Sequence, residues 1–575
     1  MTILSKALWA SVVAPALLLA SCAGPAQTAA PPAVAVTQHY DVVVRGGTIY
    51  DGSGSAPFVG DVGLTGDRIA FVGPALAGSA PSEIDARGLA VAPGFINMLS
   101  WATESLIADP RGQSDIRQGV TLEVMGEGSS MGPLNPEMKV RDKERQGDIQ
   151  YPIEWTSLGD YLHYLEKRGT AHNVASFVGA QTVRVHELGE GDVDPTPEQL
   201  MRMRALVRQA MNEGAMGVGS SLIYAPGSYA ETDELVALAA EAGKCGGMYI
   251  SHMRSEGDRL LEAVDELIEI SRRSGAPAEI YHLKMAGKDN WGKFDDVVKH
   301  IEAARARGQR ITANMYTYTA GATGLDASMP LWVQEGGLEA WIERLKKPAI
   351  RARVAAQMKV RGKDWENLYF GAGPDKMLLI AFKNEKLKQY TGKSLAEVAK
   401  LWGKSPEDTA MDLVIQDGSR VGTVYFLMSE DNVRREVALP WMSFGSDAES
   451  AAPEGVFLKS STHPRAYGNF ARLLGRYVRD EKIIPLQEAV RRLTSLAAGN
   501  LGISERGALQ VGRFADLAIF DPATIRDRAT FEQPQVYSEG MRHVFVNGVQ
   551  VLRNGEHTGA TPGRVVRGRG WKKCS

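Results

Sequence analysis

Two histidines in this chain close short apolar runs: Tyr249-Ile250-Ser251-His252 and Glu279-Ile280-Tyr281-His282. If both runs are strands, and consecutive ones, their imidazoles converge at the same end of a sheet. Two imidazoles from neighbouring strands are common zinc ligands. A lone histidine after a strand is usually a satisfied structural residue, but a matched pair favours a metal. A third ligand is needed, and the run Thr121-Leu122-Glu123-Val124-Met125-Gly126-Glu127-Gly128 offers one. The two-residue strand period puts Glu123, Met125 and Glu127 on one face. Gly126 and Gly128 allow the backbone to turn sharply around Glu127. We expect Glu127 to complete the metal set; the bland alternative is a solvated loop glutamate. A fourth run, Trp441-Met442-Ser443-Phe444-Gly445-Ser446-Asp447, ends in an acid. An acid there is costly to bury unless it is paired or near a metal. Asp447 therefore suits a general base, and a helix-capping role is compatible with that.

These groups must be carried by something regular. Eight short apolar runs punctuate the middle of the chain, at residues 92–99, 121–125, 174–179, 217–224, 248–252, 278–282, 311–316 and 442–447. Amphipathic stretches such as 198–213, 258–273 and 295–307 separate several of them, and the first follows Pro197, a residue well tolerated where a helix begins. Eight strands alternating with helices predict an α/β fold, a (β/α)8 TIM-type barrel, with chemistry at the C-terminal strand ends. Residues 328–425 interrupt the alternation and read as a mostly helical insertion, with helices at 338–353 and 395–402. Short Gly-punctuated strands precede the barrel (40–47, 62–72, 83–92) and follow it (514–521, 543–548). Both chain ends are thus expected to build one small β-sandwich domain. The expected divisions are 39–91 and 485–557 for that domain, 92–484 for the barrel and 558–575 for a tail.

The 575 residues exceed what one compact core holds. A formal net charge of −3 gives no basic field for nucleic acid. No internal run reaches the roughly 18–20 apolar residues of a membrane-spanning helix. The start differs: Lys6 precedes an apolar stretch at 7–20 that ends Leu19-Ala20-Ser21-Cys22. This reads as a signal peptide. The last four residues resemble the bacterial lipoprotein box, which implies cleavage before Cys22 and a lipid on its sulfur. The expected setting is the periplasm or the outer membrane of a bacterium. Residues 23–38 read as a disordered tether rich in Ala, Pro, Thr and Gln. Of three cysteines, Cys245 and Cys574 remain. A bond between them is open from sequence, and no Cys-rich zinc motif is present.

Further motifs resemble the D-aminoacylase (N-acyl-D-amino-acid deacylase) family of the amidohydrolase superfamily. They are Val91-Ala92-Pro93-Gly94-Phe95-Ile96, Ser251-His252-Met253-Arg254, His282-Leu283-Lys284, Met315-Tyr316-Thr317-Tyr318-Thr319-Ala320-Gly321, Phe444-Gly445-Ser446-Asp447 and His463-Pro464-Arg465-Ala466-Tyr467-Gly468. The resemblance runs from about residue 40 to 557. It implies tight-metal ligands at His252 and His282 and a catalytic acid–base at Asp447. It also implies that Tyr224, Lys284, Tyr316 and Arg465 bind the substrate carboxylate or carbonyl. Two departures matter. The family's first strand ends in His-X-His, which holds a second metal, and here Leu99-Ser100-Trp101 stands there. The family's bridging cysteine falls near Glu127. A single zinc ion is therefore expected. No lysine ends the fourth run, which argues against a carboxylated-lysine bridge.

Together these readings predict a mononuclear zinc hydrolase acting on N-acyl amino acids, with D-configuration suggested by the resemblance alone, or on short peptides. The insertion would cover the site. Rival readings are a dipeptidase, a cyclic amidohydrolase, and a non-catalytic binding lipoprotein whose metal site has decayed.

Overall fold

The computed structural model describes residues 39–574. The expected signal peptide, lipid-bearing Cys22 and tether lie outside the described residues. The eight predicted runs form the eight strands of a closed parallel barrel. In order these are Phe95–Asn97, Val120–Met125, the two-part third strand Asn173–Ser176 and Val178–Gly179, Gly217–Ser221, Met248–His252, Ala278–Ile280, Ile311–Met315 and Met442–Phe444. Parallel pairing links each strand to the next. The ring closes where the Met98 amide donates to Phe444 O at 3.1 Å and Ser100 bridges Ala448. Strands buried on both faces read as continuous apolar runs, which is why they stood out. The helices between them bury one stripe each. Leu260–Ser274, for example, buries Leu260, Ala263, Val264, Leu267, Ile268 and Ile270, and ends at Gly275 in the left-handed conformation. Pro197–Glu213 starts with a capping box between Thr196 and Gln199.

Both chain ends share one nine-stranded sheet. The seam is the antiparallel pairing of Ala90–Pro93 with Leu517–Phe520. Strands from the two ends pack into a single apolar cluster that includes Val44, Val62, Ile69, Leu517 and Phe545. The expected 83–92 strand is two strands, Ser82–Asp85 and Ala90–Pro93, separated by a turn.

The segment before the eighth barrel strand has its own core, including Leu325, Met329, Trp341, Leu379, Leu395 and Val414. Two corrections arise there. The expected 338–353 helix is two, Gly337–Leu345 and Pro348–Met358, because Pro348 cannot continue the first and begins the second. The segment also contains a three-stranded antiparallel sheet of Gly321–Gly324, Met377–Ala381 and Gly422–Tyr425. The expected tail is ordered: Val565 bridges Val174 of the third barrel strand, and Cys574 is disulfide-bonded to Cys245.

Candidate active site

Seven of the eight predicted site residues sit at or within a few residues of the C-terminal end of a barrel strand, where a barrel's loops meet, and Arg465 begins the helix Arg465–Arg472 that follows the eighth strand. Glu127 follows the second strand. Gly126, at φ 105°, lets the chain turn toward it, and a Cβ there would lie 2.3 Å from Phe177 O. His252 ends the fifth strand, and His282 follows the sixth. His282 and Asp447 adopt φ values of 33° and 51°, a left-handed conformation unusual for residues with a Cβ. Such strain concentrates at functional sites, where packing holds a side chain against its backbone preference.

The side chains converge. Glu127 Oε1 lies 3.1 Å from His252 Nδ1 and 3.0 Å from His282 Nε2. All three residues are buried. One carboxylate oxygen and two imidazole nitrogens within mutual reach are a zinc-type donor set. The electrostatics agree. Burial opposes ionisation of Glu127, yet the two imidazoles hold its pKa well below the usual carboxylate range. Burial and the Lys284 ammonium oppose protonation of His282, but Glu256 and Glu127 prevail and push its pKa up to about 9. The cluster calls for positive charge at the point where the three donor atoms meet, so these residues fit a divalent ion.

Behind the histidines stands Glu256. Its Oε1 is 2.9 Å from His282 Nδ1, and its Oε2 is 3.6 Å from His252 Nε2. For His282 this acceptor on the far side of the ring fixes which nitrogen faces the metal position, while His252 Nε2 makes no hydrogen bond and feels Glu256 only as a nearby charge. Lys284 Nζ donates to Glu256 Oε1 at 2.6 Å and lies 2.7 Å from His282 Nδ1. The Glu256 amide in turn donates to Glu366 Oε2 at 2.5 Å, and Glu366 comes from the inserted segment. Burial and the nearby Glu256 push the Glu366 carboxyl up to about 7.

On the other side stands Asp447. Burial raises its pKa, opposed by Arg465. Arg465 Nη1 lies 2.8 Å from Asp447 Oδ2 without hydrogen-bond alignment, and among the described residues Arg465 Nε and Nη1 have no hydrogen-bond acceptor. The Trp101 indole N–H points at both Glu127 Oε2 and Asp447 Oδ1, each at 3.1 Å. Tyr316 lies under the Arg465 guanidinium at 4.5 Å, and the Tyr224 ring is 5.3 Å from His252. All eight predicted residues line one cavity of about 470 Å3.

A sequence profile of the amidohydrolase family matches residues 82–552. The chain is 33% identical to a D-aminoacylase of Alcaligenes xylosoxydans xylosoxydans over 92% of its own length and 98% of the relative's. This chain belongs to the D-aminoacylase group of the amidohydrolase family. It is also 32% identical to an N-acyl-D-glutamate deacylase of the same organism, over 92% of this chain and 96% of that one. A crystal structure of D-aminoacylase has a TM-score of 0.75 at 33% identity, covering 92% of this chain and 99% of that one. A crystal structure of N-acyl-D-glutamate deacylase from Bordetella bronchiseptica holds zinc and a phosphonate inhibitor that mimics the tetrahedral intermediate. It has a TM-score of 0.75 at 29% identity, covering 92% of this chain and 100% of that one.

Two contributors in this amidohydrolase escaped the sequence reading. Glu256 lies four residues past His252 in irregular chain, where no periodicity marks it. Trp101 was read only as a missing ligand, while its N–H reaches both carboxylates.

Proposed function

We propose that this amidohydrolase cleaves the amide bond of N-acyl-D-amino acids, using one zinc ion held by Glu127, His252 and His282. The observation that carries the reading is the convergence of those three donor atoms beside Asp447 in one cavity. A zinc ion there supplies Lewis acidity toward the scissile carbonyl and makes water more acidic. The chain's own residues do the rest. Asp447 accepts the proton released as water oxygen bonds to the carbonyl carbon, and returns it to the amine nitrogen as the C–N bond breaks. Arg465 has unfilled donors on the cavity wall and holds the substrate carboxylate. Tyr316, Tyr224 and Lys284 border the same space. Lys284 departs from a simple carboxylate clamp, because its ammonium already donates to Glu256.

The substrate's side chain is neutral on this reading. Two other arginines reach the cavity and both are matched by acids. Arg420 pairs with Asp326 at 2.8 Å, and Arg145 with Glu190 at 2.7 Å. Leu338, Trp341 and Ile380 supply apolar wall. An acidic side chain would find no unmatched cation there.

The test is a panel of N-acetyl-D-leucine, N-acetyl-D-glutamate, the L-forms, dipeptides and cyclic amides, with zinc measured per chain. We expect about one zinc and a preference for N-acetyl-D-leucine. Asp447→Asn should keep the zinc and lose roughly 100- to 10,000-fold in kcat. His252→Ala should lose the zinc. Activity on dipeptides or cyclic amides instead would transfer the assignment to those classes.

The export reading is likewise ours. The residues up to Cys22 support it, and so does the Cys245–Cys574 bond, a type that persists in oxidising compartments. Mass spectrometry of the mature N-terminus, with Cys22→Ala releasing the protein from membranes, tests the lipid anchor.

A further inference from the structure

Trp101 lies four residues past the first barrel strand, Phe95–Asn97, and lines the active-site cavity, with the residue 40% exposed. One indole N–H is shared between oxygens of two different acids, the buried Glu127 (Oε2) and the half-buried Asp447 (Oδ1), at equal distances of 3.1 Å. Two carboxylates brought this close repel unless a proton, a cation or a hydrogen-bond donor stands between them. Here the donor is neutral. An indole nitrogen keeps its proton at ordinary pH and has no lone pair for a metal.

We propose that Trp101 is a positioning residue: its N–H takes the place of a cation between Glu127 and Asp447, and so holds the centre to a single metal ion. The inference rests on the zinc-hydrolase reading above. Three further observations bear on it. Glu127 is divided cleanly, with Oε1 turned to the two imidazoles and Oε2 to the indole, so only one of its oxygens faces the metal position. Asp447 is divided in the same way, with Oδ2 beside Arg465 and Oδ1 on the indole. The backbones that carry the pair are tied together, since the Trp101 amide donates to Ala448 O and the Asp447 amide to Leu99 O, both at 2.9 Å. The first and eighth strands therefore set the distance from indole to carboxylate.

The experiment compares wild type with Trp101→Phe and Trp101→His. Each is incubated with excess zinc, freed of unbound metal and assayed for zinc per chain, then for kcat and KM on N-acetyl-D-leucine. Far-ultraviolet circular dichroism checks that each variant is folded. Wild type should hold one zinc. Trp101→His puts a lone pair between the two carboxylates and should hold two. Trp101→Phe should lose roughly 10- to 100-fold in kcat, with KM changed less than about twofold. One zinc in Trp101→His, two in wild type, or a wild-type kcat in Trp101→Phe overturns the proposal. Failure of the parent reading is distinguishable, because wild type would then hold no zinc or would not turn over N-acetyl-D-leucine at all.

Discussion

The Glu256 carboxylate lies behind both imidazoles and beside the Lys284 ammonium, so a change of one atom there should be felt at the metal position without touching a ligand. Glu256→Gln keeps the shape but puts an amide where the His282 ring nitrogen and the ammonium now meet negative charge. We expect zinc affinity to fall roughly 10- to 100-fold, measured by competition with a chelator. Unchanged affinity would remove Glu256 from the site. His252, His282, Glu127 and Asp447 were legible because each ends an apolar strand, so the strand both announces and aims them. Glu256 was not, because Arg254-Ser255-Glu256 has the composition of any polar loop. Trp101 was visible in sequence, but only geometry reveals what its N–H faces.

Among the elements, the eight strands were legible to within a few residues, since burial on both faces leaves an apolar run that few other structures require. The small sheet beside the site was not. Its first strand, Gly321–Gly324, is Gly-Ala-Thr-Gly, which has no large apolar residue and a single β-branched one, Thr323, between residues that strands disfavour. The broken helix at Pro348 was readable from proline alone, and the apolar periodicity on both sides disguised it. Loop geometry at strand ends matters more to the site than strand composition, and Gly126 is its sharpest case. Gly126→Ala would place a methyl 2.3 Å from Phe177 O in a backbone conformation that alanine rarely takes. We expect a loss of more than about 1 kcal/mol in stability and weaker zinc binding through a displaced Glu127. Thermal unfolding with and without zinc checks both, and a variant as stable as wild type would show that the turn is slack.

At the scale of the molecule, the chain returns to its beginning. The seam between Ala90–Pro93 and Leu517–Phe520 makes neither chain end sufficient for the sheet, and composition at both ends suggested this. The strap after the sheet was unforeseen, because its Gly-Arg-rich sequence looks like solvent-facing tail. It nonetheless runs beside the third barrel strand and is pinned through Cys574. Cys574→Ser should therefore lower stability by about 2–4 kcal/mol, seen as an earlier denaturant midpoint, with kcat unchanged because the bond lies away from the cavity. A midpoint equal to that of wild type would mean that packing alone holds the strap. The position of this bond in the chain also sets a clock on biosynthesis. Cys245 is made just ahead of the fifth strand, and Cys574 only after the eighth and the closing sheet, 329 residues later. A nascent chain must thus carry Cys245 as a free thiol until almost everything else has been synthesised. A thiol-alkylating probe would mark incomplete chains at Cys245 and pass over that residue in finished chains that have reached an oxidising compartment.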